Sequence, residues 1–172
     1  PTITVNPETS NASKTKEITI TARDEGGSGL SSSNSYQYYL STSNTSQEGG
    51  EWKDYTSGQA FTIGTGLNGT YYLHIRPIKD NATNVSTTAS TQVYGPYVFA
   101  NKAPTITISP NNQSNYTKST NVTITVTDNN GVGLSSSNSY QYYLSTSSTS
   151  TVGGSWQNYT SGQAFPIGEG KT

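Results

Sequence analysis

A run of 15 residues, GLSSSNSYQYYLSTS, begins at Gly29 and returns unchanged at Gly133. Downstream, GG-x-W-x-x-YTSGQAF-x-IG around Trp52 and Phe61 returns around Trp156 and Phe165, again 104 residues on. The opening PTITV at Pro1 matches PTITI at Pro104 with an offset of 103, so one residue is gained before Leu134. Compositional bias does not produce an identity of that length, and the repeat governs what the chain can fold into. A period near 100 residues is too long for solenoid or propeller units and fits a whole domain. The chain divides into repeat one (residues 1–100), a short joint (101–104) and repeat two (104–172).

Within the period, short runs alternate apolar and polar residues, the pattern of half-buried strands. In repeat one they span Thr2 to Val5, Glu17 to Arg23, Tyr36 to Thr42, Trp52 to Tyr55, Ala60 to Ile63, Thr70 to Lys79 and about Val85 to Phe99. Alternation points Ile18, Ile20 and Ala22 inward, along with Tyr36, Tyr38, Leu40, Tyr71, Leu73 and Ile75. It points Tyr39, Tyr72 and His74 outward, His74 as a solvated strand residue. Turn residues separate the runs at Glu25-Gly26-Gly27-Ser28-Gly29, Glu48-Gly49-Gly50, Leu67-Asn68-Gly69 and Asp80-Asn81. No apolar repeat has helical spacing. Seven short strands without helices predict an all-β, two-sheet antiparallel sandwich in each repeat.

Only 29% of the residues are hydrophobic, yet 13 tyrosines and many β-branched residues argue against disorder and for thin cores under a polar surface. The net charge of −1 and nine scattered Lys and Arg residues give no basic stripe, so nucleic acid is not an expected partner. No stretch of about 20 apolar residues offers a membrane-spanning helix. Without cysteine, disulfides, Cys-ligated metals and thiol nucleophiles drop out.

These residues resemble the immunoglobulin-like repeats of bacterial cell-surface proteins. The pattern comprises a D-x-GSG-hydrophobic turn, a Y-x-L strand, GG-x-W, a G-x-Y-x-hydrophobic strand and a DNAGN end. Here those elements read Asp24 to Leu30, Tyr38-Tyr39-Leu40, Gly49-Gly50-Glu51-Trp52, Gly69 to Leu73 and Asp80-Asn81-Ala82-Thr83-Asn84. The sequence departs at Thr83, where the pattern has Gly, and at Val132 in repeat two. The resemblance implies tandem immunoglobulin-like sandwiches outside the cell, within a larger exported protein. The fold says little about function, because such domains serve as spacers, adhesin modules and enzyme appendages.

Repeat two ends at Thr172, in the turn matching Leu67-Asn68-Gly69, so it is expected to be truncated after about five strands, without the last two. It should be the less stable repeat, cut faster at Gly153-Gly154 than repeat one is at Gly49-Gly50. Its open edge invites strand exchange with a neighbouring chain. The joint up to Pro104 lacks a Gly/Ser tract, and Pro104 holds Ala103 extended. A stiff joint between sandwiches suits a rod.

Asp24 closes the second strand, while Asp80, Asn81 and Asn84 follow the sixth, at the same end of the domain. With Asp128 as the counterpart of Asp24, these oxygens are candidate Ca²⁺ ligands. The simpler expectation is that they make Asx-turns and that no cofactor is needed. A Lys14 or Lys16 to Asn84 isopeptide bond lacks a buried acid to assist it. Trp52 and Trp156, with Tyr39 and Tyr72, are candidates for a surface that grips a glycan or a host matrix protein. Packing at the sandwich rim is the simpler role for the tryptophans. No paired carboxylates, metal cluster or nucleophile motif is visible, so no catalysis is expected. The expectation is a non-catalytic structural spacer projecting a distal domain, with an adhesin or carbohydrate-binding accessory module as the alternative.

Overall fold

The computed structural model describes residues 1–45, 51–111, 118–130, 132–149 and 155–169. The turn at Glu48-Gly49-Gly50 and its counterpart at Gly153-Gly154 lie outside them. The chain forms two compact units, Pro1–Lys102 and Ala103–Thr172, and every regular element among the described residues is a β-strand.

Among its described residues, unit one is built from eight strands. One sheet has the order β1-β3-β6, with β1 at Thr2–Asn6, β3 at Lys16–Arg23 and β6 at Ala60–Ile63. The other runs β2-β8-β7-β4-β5, from Ser10–Ser13 through Gln92–Ala100, Asn68–Ile75 and Gln37–Ser41 to Lys53–Asp54. All pairings are antiparallel except β2 on β8. Period-two alternation in β3 buries Ile18, Ile20 and Ala22 against Leu73, Ile75, Tyr97 and Phe99 of the facing sheet, giving one core between two layers. The chain leaves the first sheet after Asn6 and joins the second at Ser10. Two phenols hold this crossing: half-buried Tyr94 donates to the Ile3 carbonyl (2.6 Å) and buried Tyr97 to that of Pro7 (2.7 Å).

The last strand is shorter than the sequence suggests. Val85 makes only an isolated bridge to Lys79, and β8 begins at Gln92. At the far end the Asn101 amide donates to the carbonyls of Lys14, Gly64 and Leu67, tying the end of the unit to two loops. Gly64 has φ +88°, and a Cβ there would sit 1.9 Å from Cε1 of Phe99, so the position requires glycine.

Unit two repeats the first half of this plan with five strands among the described residues. Its β9 (Thr105–Ser109), β10 (Thr120–Thr127) and β13 (Ala164–Ile167) form one sheet, and β11 (Gln141–Tyr142) pairs with β12 (Gln157–Asn158). Registers correspond: Ile18 opposite Phe61 becomes Val122 opposite Phe165, and Gln37 opposite Asp54 becomes Gln141 opposite Asn158. Ile3 opposite Ala22 becomes Ile106 opposite Val126, so the extra residue falls between β9 and β10. No strand among the described residues stands where β7 and β8 stand in unit one. Ile3 and Val5 are 4% exposed, whereas Ile106 and Ile108 are 66% and 48% exposed.

The turn before β6 shows how local sequence sets local structure. Thr56 to Gln59 form a turn closed by the Gln59 N–H on the Thr56 carbonyl (3.1 Å), with Gly58 at φ +79° as a type II turn requires. The Ser57 hydroxyl accepts the Ala22 N–H at 2.9 Å and stands in for a ladder bond beyond the end of β6. In unit two Ser161 does the same for Val126 at 2.9 Å, with Gly162 also at φ +79°.

Candidate functional site

The loops carrying Asp24 and Asp80 meet. Asn81 donates its backbone N–H to the Gly29 carbonyl (2.9 Å) and its side-chain amide to that of Ser28 (2.8 Å), and Leu30 bridges to Asp80. The carboxylates themselves are engaged in turns. Asp24 accepts the N–H groups of Gly26 and Gly29, which hold its pKa below the usual carboxylate value. Asp80, 4% exposed, accepts the side-chain amide of Asn84 (2.7 Å) and its backbone N–H (2.8 Å), and these bonds likewise lower its pKa. Asp128 repeats the arrangement of Asp24, accepting from Asn130 (2.9 Å) and Gly133 (2.7 Å). Among the described residues, no three of His, Cys, Asp and Glu come together as a metal-binding group. The carboxylate contacts to nearby backbone N–H groups are of the kind made in Asx-turns. Within this hairpin Thr83 has φ +67°, a conformation unusual for a β-branched residue.

The outward face of β4 and β7 is not the open surface expected from alternation. Tyr39 and His74 do point away from the core, but each is only 1% exposed. The segments at Ser43 and Thr91 fold over them. His74 Nε2 lies 2.8 Å from the Ser43 carbonyl, which can only accept, so Nε2 carries a proton, and Nδ1 lies within hydrogen-bond distance of the Thr91 hydroxyl at 3.1 Å. The His74 ring stacks on Tyr39 at 4.6 Å and 9°. Trp52 meets Tyr39 edge to face at 4.7 Å, and the Arg76 guanidinium lies 4.1 Å from the centre of the Trp52 ring. The expectations of a solvated His74 and a surface Tyr39 are therefore corrected: loops make a second, smaller packing layer over that face. Tyr72 is half-buried beside Gly95, where a Cβ would come within 3.2 Å of its ring. Trp156 keeps its partner, Tyr143 (4.6 Å), yet is 61% exposed.

A concavity that sequence reasoning missed lies beside β6. Tyr38, Asp54, Tyr55, Gln59 and Phe61 are among its lining residues, and its volume is about 360 Å³. Unit two has a cleft of about 420 Å³ lined by Tyr142, Asn158, Tyr159, Gln163 and Phe165. Every lining position of one cleft maps onto the other with the offset of 104. The aromatic floor repeats as well, Tyr38 to Phe61 at 4.8 Å and 34°, Tyr142 to Phe165 at 4.7 Å and 35°. Gln37 donates to Asp54 at 2.9 Å, and Gln141 to Asn158 at 3.0 Å. The signal was present in the repeated YTSGQAF segment, which alternation assigns only to strand and turn.

Comparison with known proteins adds no identity: no family model matches the chain, and neither does any curated protein or solved structure.

Proposed function

We propose that the chain is a non-catalytic structural repeat of a bacterial cell-surface protein, composed of immunoglobulin-like sandwiches that space a distal domain from the envelope. The observation that carries this reading is the fidelity of the duplication. Registers, the Ser57 and Ser161 plugs, and the aromatic pairs recur at matching positions, as expected of a unit multiplied for its architecture. The strand order β1-β3-β6 facing β2-β8-β7-β4-β5, with the first strand switching sheets, is consistent with an immunoglobulin-like topology. The clamp at Asn101 supports the same reading, since it fixes where the chain leaves a unit.

Polypeptides of two, four and six copies of residues 1–102, labelled with dyes at both ends, test the proposal. A spacer should show an end-to-end distance that grows in proportion to copy number. A distance that levels off with added copies would contradict it. The alternative, an adhesin or carbohydrate-binding accessory module, draws support from the aromatic clefts that recur in both units.

A further inference from the structure

Spacing makes no use of the chemistry that the recurring clefts present. Their eight lining positions keep six residues unchanged and differ at two, Asp54 against Asn158 and Thr62 against Pro166. Each difference constrains what would bind.

The first concerns charge. Asp54 can only accept hydrogen bonds, whereas Asn158 both donates and accepts. A ligand ammonium would be held in one cleft by a carboxylate that the other lacks. A hydroxyl suits both, because it donates to a carboxylate and either donates to or accepts from an amide. Among the described residues no Lys or Arg lines either cleft, so an anion has no counter-charge. A neutral, hydroxyl-bearing ligand is the kind that would suit both copies.

The second concerns the free edge of the sheet. An extended peptide could add to the outer edge of β6, and that mode needs backbone N–H groups. Pro166 has none, and proline is tolerated on an edge strand where its nitrogen faces outward, away from the ladder. In unit two the donor for an incoming strand is missing at the point where the cleft opens. The cleft is nevertheless retained with its aromatic floor, Gln163 and Thr160. Side chains rather than a strand edge are what the two copies share.

A floor of tilted aromatic rings rimmed by amide, carboxylate and hydroxyl groups matches the two faces of a sugar ring, apolar C–H on one side and hydroxyls around the edge. Volumes of about 360 and 420 Å³ fall at the lower end of small-ligand sites. We propose that the two clefts are equivalent sites for a ring of a neutral saccharide, one in each unit. Phe61, partly exposed beside the buried Tyr38, would stack against the ring, and Asp54, Gln59 and Thr56 would bind its hydroxyls, with the counterparts in unit two acting alike. This does not depend on the spacer reading, since a spacer and a sugar-binding surface can share one unit.

The test is to titrate the 172-residue chain with soluble neutral gluco-, xylo-, manno- and N-acetylgluco-oligosaccharides while following the backbone amides of Phe61 and Phe165 by NMR. Both amides should shift with the same sugar. Gln59→Ala, at an exposed position, should weaken the first cleft by about tenfold and leave the second unchanged. Asp54→Ala should likewise weaken the first cleft and leave the second unchanged. No shift with any of these sugars would overturn the proposal. So would unchanged binding at the first cleft in Gln59→Ala, or a Thr-Val peptide that perturbs β6 backbone amides where no sugar does.

Discussion

Tyr39 and Trp52 meet edge to face at 4.7 Å, and Tyr143 and Trp156 at 4.6 Å, but the surroundings of the two pairs differ. In unit one His74 stacks on the tyrosine and Arg76 lies against the tryptophan, both supplied by β7 or the residue after it. In unit two no described residue takes those places, and Trp156 is 61% exposed. The same holds inside the sandwich, where Ile3 and Val5 are buried and Ile106 and Ile108 are not. Full burial of each such side chain is worth about 1.5–3 kcal/mol. Local sequence thus sets which side chains touch and how strands register. Whether those contacts are dry depends on strands brought from far along the chain.

The sharpest way to break this comparison is a pair of matched substitutions. Gly64→Ala drives a methyl into Phe99 and also strains a positive φ, so unit one should lose about 3–4 kcal/mol in denaturant unfolding. Gly168→Ala strains a similar φ, +86°, with no atom nearer than 3.9 Å, and should cost about 1–2 kcal/mol. Equal losses would mean that Phe99 does not set the difference between the units.

A second pair should behave alike. Ser57→Ala and Ser161→Ala each orphan one N–H, of Ala22 and Val126, and each should cost its own unit about 1–2 kcal/mol. A clear inequality would show that even the local turn depends on the covering strands.

Titration separates the terms by pH. The carboxylates of Asp24 and Asp80 have lowered pKa values in the fold, so their contribution is complete above about pH 4 and is lost as pH falls below it. Burial raises the phenols of Tyr55 and Tyr97, so their contribution is complete below about pH 10 and is lost as pH rises beyond it. The ring signals of Tyr55 and Tyr97, followed individually by NMR, should change to those of the phenolate only as unit one unfolds. Ionisation of either phenol well before unfolding would contradict the burial of these hydroxyls.

The smallest effect belongs to Thr83→Gly. Relief of a left-handed conformation, about 1–2 kcal/mol, is partly offset by the entropy glycine loses on folding, leaving a gain of roughly 0.5 kcal/mol in unit one. A loss in thermal unfolding would show that Thr83 has a role beyond its backbone angle.

Much of the architecture was legible in the sequence, for stated reasons. The repeat gave the two units, and alternation gave β3 and its buried Ile18 and Ile20, because one face of that strand meets a core. The strand Ser10–Ser13 was not legible: it is polar, lies at an edge and pairs in parallel with β8, so no alternation marks it. Alternation also gave the direction of Tyr39 and His74 without their burial, since a period of two reports the face of a strand and not what a loop lays over it. The Asx-turns at Asp24 and Asp80 follow from residue type and spacing. The cleft at Gln59 became visible only once β4, the turn and β6 were placed side by side.

Amide hydrogen exchange of the intact chain tests the central contrast most directly. The N–H of Ala22 and that of Val126 each donate to a serine hydroxyl at 2.9 Å, in equivalent turns. If the covering strands decide stability, Ala22 should exchange at least about a hundredfold more slowly than Val126, roughly the burial of one Ile-sized side chain. Equal protection at the two amides would show that the local turn is sufficient, and that β7 and β8 add little to the stability of unit one.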